Sequence, residues 1–212
     1  MKALALSLFL FFSLNSFCQS QNIQLPKPDT TGGKPLMECL KNRQSGRSYV
    51  DKTIELQHLS NLLWAAYGIN RYSPHKRTAP STLNVQEFVL YVFLADAVYT
   101  YNAINHELIF VMKGDFRHKT GTQDYVKNAS ANIVFVADYS KMTKISKAED
   151  KDFYAAVDCG FISQNIYLYC SSAGLTSVVR ASINKEELSN LLKLSENMKI
   201  ILAQSVGYSK TD

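Results

Sequence analysis

Charge is scarce in this chain. Only 19% of its 212 residues are Asp, Glu, Lys or Arg, and no dense run of Lys and Arg occurs, although the formal charge is +5. So little charge excludes a disordered polyelectrolyte, and without a basic cluster no nucleic-acid track is expected. The mild positive excess suits small anionic ligands instead. The apolar stretch Ala3–Phe17 is too short for a membrane span, which takes about 20 residues. No CxxC or His/Cys ligand spacing is present, and His58, His75, His106 and His118 stand singly, so no metal site is expected. No glycine-rich turn joins a first strand to a first helix, which excludes the dinucleotide-binding Rossmann fingerprint. A serine elbow with a following Asp and His is also missing, so hydrolase chemistry has no support. Internal repeats and low-complexity segments are absent.

What is present is a chain with 46% hydrophobic residues, enough for one domain with a sizeable core. Met1-Lys2 followed by the apolar Ala3–Phe17 and the small residues Ser16, Cys18 and Ser20 reads as a secretory signal peptide over 1–18, with cleavage after Cys18 or Ser20. The protein is therefore expected to be exported, periplasmic or secreted, with no stable membrane span after cleavage. An uncleaved anchor is the alternative, and Cys18 raises a lipoprotein reading that the bulky Phe17 opposes. Three cysteines then remain, Cys39, Cys159 and Cys170, an odd number that argues against a full disulfide framework. Cys159 and Cys170 share one apolar helical stretch and are expected to be core thiols.

Residues 19–35 are polar and rich in Pro and Gly, which predicts a flexible linker or a wrapped arm, with the folded domain over 36–212. A short helix is expected over 36–42. Leu56, Leu59, Leu62, Leu63, Ala66 and Tyr67 then form a helical stripe closed by Gly68. EFVLYVFLAD reads as a strand, VYTYN and HELIFVMKG as a hairpin, and NIVFVADY as a buried central strand. The longest helix is expected from about Asp150 to Ala173, stopped by Gly174. Asp158, Gln164 and Asn165 on it read as polar core or interface positions. LTSVVRASI is a strand, Ser182 or Asn184 caps a helix to Leu192, and KIILAQSVGY is the last strand. Interleaved helices and hairpins make the class α+β.

Three constellations could carry chemistry. Arg43-Gln44-Ser45-Gly46-Arg47 places two guanidinium groups, an amide and a hydroxyl just past a helix end, a set suited to gripping phosphate. Taken alone it is equally an ordinary basic surface loop. Pro80-Ser81-Thr82-Leu83-Asn84 offers hydroxyl and amide groups suited to a mixed donor–acceptor ring edge, or is simply a turn. Gly174-Leu175 is a helix stop that would also let backbone approach a ring closely.

Taken in order, NRQSGR, LSNLLWAAYGINR, APSTLNVQ, DCGFISQNIYLYCSSAGL and IILAQSVGY resemble the nitroreductase family of FMN flavoproteins, over residues 38–208. LLWAAYGINR and VYTYNAINHEL are similar to the branch that holds azoline oxidases of modified-peptide synthesis. The resemblance implies a three-layer α-β-α sandwich with a mixed or antiparallel central sheet, forming an intertwined homodimer with two FMN sites at the interface. It implies that Arg43 and Ser45 bind the FMN phosphate and ribityl chain, with Gln44 beside them and Arg47 near N1 and O2 of the pyrimidine ring. Pro80, Ser81, Thr82 and Asn84 would reach the flavin from the other subunit, and Gly174 and Leu175 would turn backbone groups toward N5. The basic residues that the family carries after its last strand are reduced here to Lys210, with Arg180 as a candidate helper for the phosphate.

The implied activity is an FMN-dependent oxidoreductase. It would pass a hydride from an NAD(P)H-like donor to a small-molecule acceptor, such as a nitroaromatic or quinone, by a ping-pong cycle. A fixed cation at N1 and O2 would stabilise the reduced ring, and no protein side chain is needed as a catalytic base because the flavin carries the chemistry. Nicotinamide cofactors are scarce outside the cytoplasm, so export and a nicotinamide donor pull against each other. The alternatives are a peptide or azoline oxidase using O2 and a non-catalytic flavin-binding module. Substrate choice is expected to lie in loops around 71–79 and 114–125.

Overall fold

The computed structural model describes residues 21–73 and 75–210, so the signal-peptide reading and Cys18 lie outside the described residues. In chain order the elements are β1 (Ile23–Gln24), α1 (Leu36–Asn42), α2 (Leu56–Tyr67), β2 (Ile69–Arg71), β3 (Lys76–Arg77), β4 (Phe88–Phe93), β5 (Ala97–Asn102), β6 (Glu107–Lys113), β7 (Ala131–Asp138), α3 (Ala148–Ala173), β8 (Thr176–Arg180), α4 (Lys185–Leu192) and β9 (Met198–Gly207). Seven strands form one sheet in the order β1-β6-β5-β4-β7-β9-β8, and every pairing within it is antiparallel. Of the mixed or antiparallel alternatives, the sheet takes the antiparallel one, with a single isolated parallel bridge between Ser45 and Ser177 outside it.

The strand pattern divides the side chains between two apolar layers. Leu90, Val92, Ile133 and Phe135 face the layer of α2 and α3, whereas Tyr91, Phe93, Val134 and Val136 face Leu188 and Leu192 of α4. The result is the α-β-α sandwich. β7 is an inner strand between β4 and β9, covered on both faces, which is why its sequence is an unbroken apolar run rather than an alternation. Burying a side chain such as Ile133 or Phe135 contributes roughly 1.5–3 kcal/mol. On α3 the buried positions Ala155, Cys159, Ile162, Ile166 and Cys170 recur every three or four residues and pack toward α2 and the sheet. Burial also keeps the Cys159 and Cys170 thiols protonated by raising their pKa. Cys39, Cys159 and Cys170 are all buried and free.

Several local details depart from what pattern alone suggests. Of the linker and wrapped-arm alternatives for this segment, residues 21–35 take the arm, laid on the domain. Ile23 pairs with Leu108 at the sheet edge, Leu25 is buried, Asp29 N–H donates to Asn61 Oδ1 at 2.9 Å, and Lys34 N–H donates to Ser172 Oγ at 2.8 Å. The loop expected after α2 contains the β2–β3 pairing, tied back where Thr78 N–H donates to the Gly68 carbonyl. Gly68 does close α2, but with φ −71°; its requirement is space, since a Cβ there would stand 2.7 Å from the backbone of Trp64. A register shift between β7 and β9 pairs Phe135 with Leu202 and Val136 with Ile200. The skipped Ile201 lets Ile201 and Leu202 both face the α3 layer. Among the described residues no helix is long and apolar enough to cross a membrane.

Candidate functional site

α1 ends where Arg43 N–H donates to the Cys39 carbonyl at 2.9 Å, and the Arg43–Arg47 loop then runs beside β8. Gly46 N–H donates to the Ser177 carbonyl at 3.0 Å. A Cβ on Gly46 would stand only 1.8 Å from Thr176 Oγ1, so a glycine is needed for the loop to lie this close. Ser45 Oγ is 2.9 Å from the Tyr167 hydroxyl on α3. That hydroxyl also accepts the Val179 N–H at 2.9 Å, so its own proton can go to Ser45 and leave the serine proton for an outside acceptor. The Arg43 guanidinium lies 5.2 Å from the centroid of the Tyr167 ring. Gln44 and Arg47 are exposed.

The end of α3 closes the other side. Gly174 has φ 71° and ψ 22°, a left-handed stop, and its N–H and that of Leu175 both donate to the Cys170 carbonyl. This sharpens the expectation for Gly174 and Leu175: their N–H groups are already engaged inside the helix end, which leaves bare space at Gly174. A Cβ built on Gly174 would meet nothing within 4 Å. The last strand enters beside them, where Ser209 bridges to Tyr49 and Lys210 N–H approaches the Ser48 carbonyl.

These parts enclose a cleft of about 200 Å³ whose lining includes Asn42, Gln44, Tyr167, Gly174, Leu175 and Ser209. Of the expected site residues, Gln44, Gly174 and Leu175 line the cleft, Arg43 and Ser45 flank Gln44 and meet its Tyr167 wall, and Arg47 and Lys210 lie on adjoining segments outside the lining. Among the described residues, Arg43, Arg47 and Lys210 take part in no ion pair. The cleft is thus lined by amide, hydroxyl and backbone groups, with the Arg43 cation and the Ser45 hydroxyl against its Tyr167 wall, a donor set that fits a phosphate-bearing ring compound.

Pro80, Ser81, Thr82 and Asn84 are not brought there. Thr82 N–H donates to Asp158 Oδ2 at 2.7 Å, and the sixteen residues from Asp158 to Gly174 put it about 24 Å down α3 from Gly174, at roughly 1.5 Å per residue. Arg180 is also not a phosphate helper. It is buried, its guanidinium donates to the carbonyl and hydroxyl of Thr120, to Asn132 Oδ1 at 2.8 Å and to Ser205 Oγ, and burial lowers its pKa to about 10. Tyr167 was missed in the sequence. Its signal was a polar-tipped aromatic two helical turns before Gly174, on the same face.

The model of the nitroreductase family matches residues 40–208, which takes in every segment of the cleft except Lys210 and Ser209. A Methanocaldococcus jannaschii protein named "Putative nitroreductase" is 27% identical over 188 residues, covering 84% of this chain and 92% of that protein. A crystal structure described as a "putative nitroreductase" from Ralstonia eutropha aligns with a TM-score of 0.86 at 38% identity, covering 91% of each chain. The structure of a "Putative NADH Oxidase" from Clostridium acetobutylicum shares the fold, with a TM-score of 0.58 at 22% identity over 82% of this chain and 89% of that one.

Proposed function

The chain belongs to the nitroreductase family and is an oxidoreductase, and on that premise we propose that it works as an FMN-dependent homodimer. In this reading it passes a hydride from a reduced nicotinamide-type donor to a small acceptor such as a nitroaromatic or quinone. The observation that carries the proposal is the cleft itself, lined by Gln44, Tyr167, Gly174 and Leu175, with Arg43 and the Ser45 hydroxyl against its Tyr167 wall and a bare face at Gly174. Bound there, FMN supplies the hydride-accepting and hydride-releasing chemistry. The residues of the chain bind and bias it. Arg43 and Ser45 hold the phosphate and ribityl oxygens, with Lys210 adding charge at the chain end. Arg47 supplies positive charge beside the pyrimidine edge, where negative charge gathers on reduction. Gly174 allows backbone within van der Waals reach of the ring, because it has no Cβ in the way.

Two features support the dimer. A cleft of about 200 Å³ falls short of the roughly 300–1,000 Å³ of complete ligand pockets, so one chain supplies part of a site. Meanwhile Phe153, Val157 and Phe161 form an exposed apolar row along α3, and Leu36, Met37 and Leu40 another on α1. Pairing α3 with α3 of a second copy would cover that row and carry each Pro80–Asn84 segment, about 24 Å from its own Gly174, toward the partner's cleft.

Purified protein provides the test. A yellow dimer whose flavin absorbance bleaches with a reductant and returns with an acceptor supports the reading, and a colourless protein that takes up no added FMN ends it. Export is the second part of the proposal and rests on the N-terminal sequence. Mass spectrometry of the native protein should show a start after Cys18 or Ser20; soluble protein retaining Met1 would refute it.

A further inference from the structure

Two buried acids beneath the Pro80–Asn84 segment have no part in the proposed chemistry. Glu87, immediately before β4, is fully buried, and Asp158 of α3 is 2% exposed. No N–H or O–H of another residue comes within hydrogen-bond distance of either Glu87 carboxylate oxygen. Two ionised carboxylates meeting in a buried site repel each other and are both poorly solvated, and a proton between them relieves both problems. The geometry says which group carries it. Asp158 already accepts the Thr82 N–H at 2.7 Å and is drawn toward the charged form by Thr82, whereas burial and the Asp158 carboxyl beside it favour the protonated form of Glu87. Burial and the neighbouring charge push Glu87 up to about 7, and burial raises Asp158 as well.

The other groups facing the pair are Tyr67 of α2, whose buried hydroxyl has no partner, Tyr139 after β7, the Cys159 thiol and Lys141. Lys141 is exposed, with its Nζ 3.4 Å from the Gln86 carbonyl, and Arg77 is turned to Tyr67, donating to its carbonyl at 2.8 Å. Neither cation is bonded to the acids.

What the pair holds is strained. Leu83, Asn84 and Gln86 have φ of 52°, 56° and 53°, in a region that costs an ordinary L-residue roughly 1–2 kcal/mol. Such a loop keeps its shape only where surrounding bonds over-determine it. Here Gln86 N–H donates to Ser81 Oγ at 3.0 Å, Arg77 Nε donates to Gln86 Oε1 at 2.8 Å, and Asp158 ties Thr82 to the long helix.

We propose that Glu87 and Asp158 share one proton and act as a positioning pair, pinning the strained Ser81–Gln86 loop to α3 while the proton is present and releasing it when the proton passes to solvent. Because the pKa of Glu87 lies above its ordinary value, the pair keeps its proton in acid and loses it as pH rises through about 7. The functional consequence, though not the lock, rests on the reading that this loop is presented to the flavin of a second copy.

The test is hydrogen–deuterium exchange of the Thr82 and Leu83 amides in the full protein, read as protection relative to the intrinsic rate between about pH 6 and about pH 8. In the wild type, protection should fall by roughly tenfold across that range. Glu87→Gln donates to Asp158 without a titratable proton, so its protection should stay high and level; in Asp158→Ala it should be low throughout. An infrared band of a buried protonated carboxyl should be present at the acid end and missing from Glu87→Gln. A level wild-type profile, a Glu87→Gln profile that follows the wild type, or an absent carboxyl band would each overturn the lock. FMN titrations at the same pH values test the positioning role. Affinity should weaken with pH in the wild type and not in Glu87→Gln, and affinity that stays level while exchange changes would overturn that role. Should no variant bind FMN at any pH, the flavin reading fails while the exchange data still decide the lock.

Discussion

Replacing Gly174 with Ala separates what the glycine does for the helix from what it does for a ligand. Its φ of 71° costs an L-residue roughly 1–2 kcal/mol, and the stiffer unfolded chain of Ala returns about 0.4–1 kcal/mol. No steric cost adds to this, because the new Cβ meets nothing within 4 Å. The apo protein should therefore lose about 1 kcal/mol, which lowers Tm by about 2–4 °C in a chain of this size. Binding behaves differently if the cofactor ring packs on the bare face of Gly174. A methyl wedged between backbone and ring costs about 1–3 kcal/mol of overpacking, and an upper-range value corresponds to a roughly hundredfold loss of FMN affinity. With FMN at about 100 times the wild-type Kd, the wild type gains about 2.7 kcal/mol, while the variant gains only about 0.4 kcal/mol. The gap between them then widens from about 1 to about 3 kcal/mol, or roughly 7–13 °C. Thermal melts with and without FMN measure both gaps. An equal drop in the two conditions would show that no ligand contacts Gly174, and the placement of the cofactor would have to be abandoned.

Gly46→Ala should do the reverse. Its Cβ would collide with Thr176 and displace the Gly46–Ser177 hydrogen bond, so apo stability should fall by about 2–4 kcal/mol in denaturant titrations; a loss below about 1 kcal/mol would mean the loop does not lie so close to β8. Arg43→Ala should weaken FMN binding more than it shifts the flavin midpoint potential, while Arg47→Ala should lower the potential more than it weakens binding. Equal effects in paired titrations and potentiometry would refute the division of roles. Phe161→Asp, at an exposed site on α3, should convert dimer to monomer in sedimentation velocity with apo stability within about 0.5 kcal/mol of wild type; an unchanged sedimentation coefficient would place the interface elsewhere.

Local signals made much of the fold readable. α1 at Leu36–Asn42 matches the range expected from sequence, and α3 begins two residues before it and ends at the same Ala173, because Gly174 supplies a stop that depends only on backbone conformation. Asn184 caps α4 through its side chain, which accepts from Glu187 N–H, a bond made within three residues of chain. β1 and the β2–β3 pairing escaped, because each is two or three residues long and exists through a partner distant in sequence or through its neighbour rather than through its own pattern. The bulge at Ile201 escaped for a related reason: an apolar run such as KIILA reads the same in either register.

Caps, periodicity and glycine stops act over a few residues, so the class, the order of helices and strands, the family, and the residues of the Arg43–Arg47 loop and the α3 terminus could all be read along the chain. Which charges are free emerged from the packing alone. It buried Arg180 in a network of neutral acceptors, spent the N–H groups of Gly174 and Leu175 inside the helix, and set Tyr167 under Ser45. It also brought Glu87 and Asp158 together although 71 positions separate them. Whether a polar group is available depends on what surrounds it in space, and contacts between distant segments are set by packing rather than by neighbours in the chain.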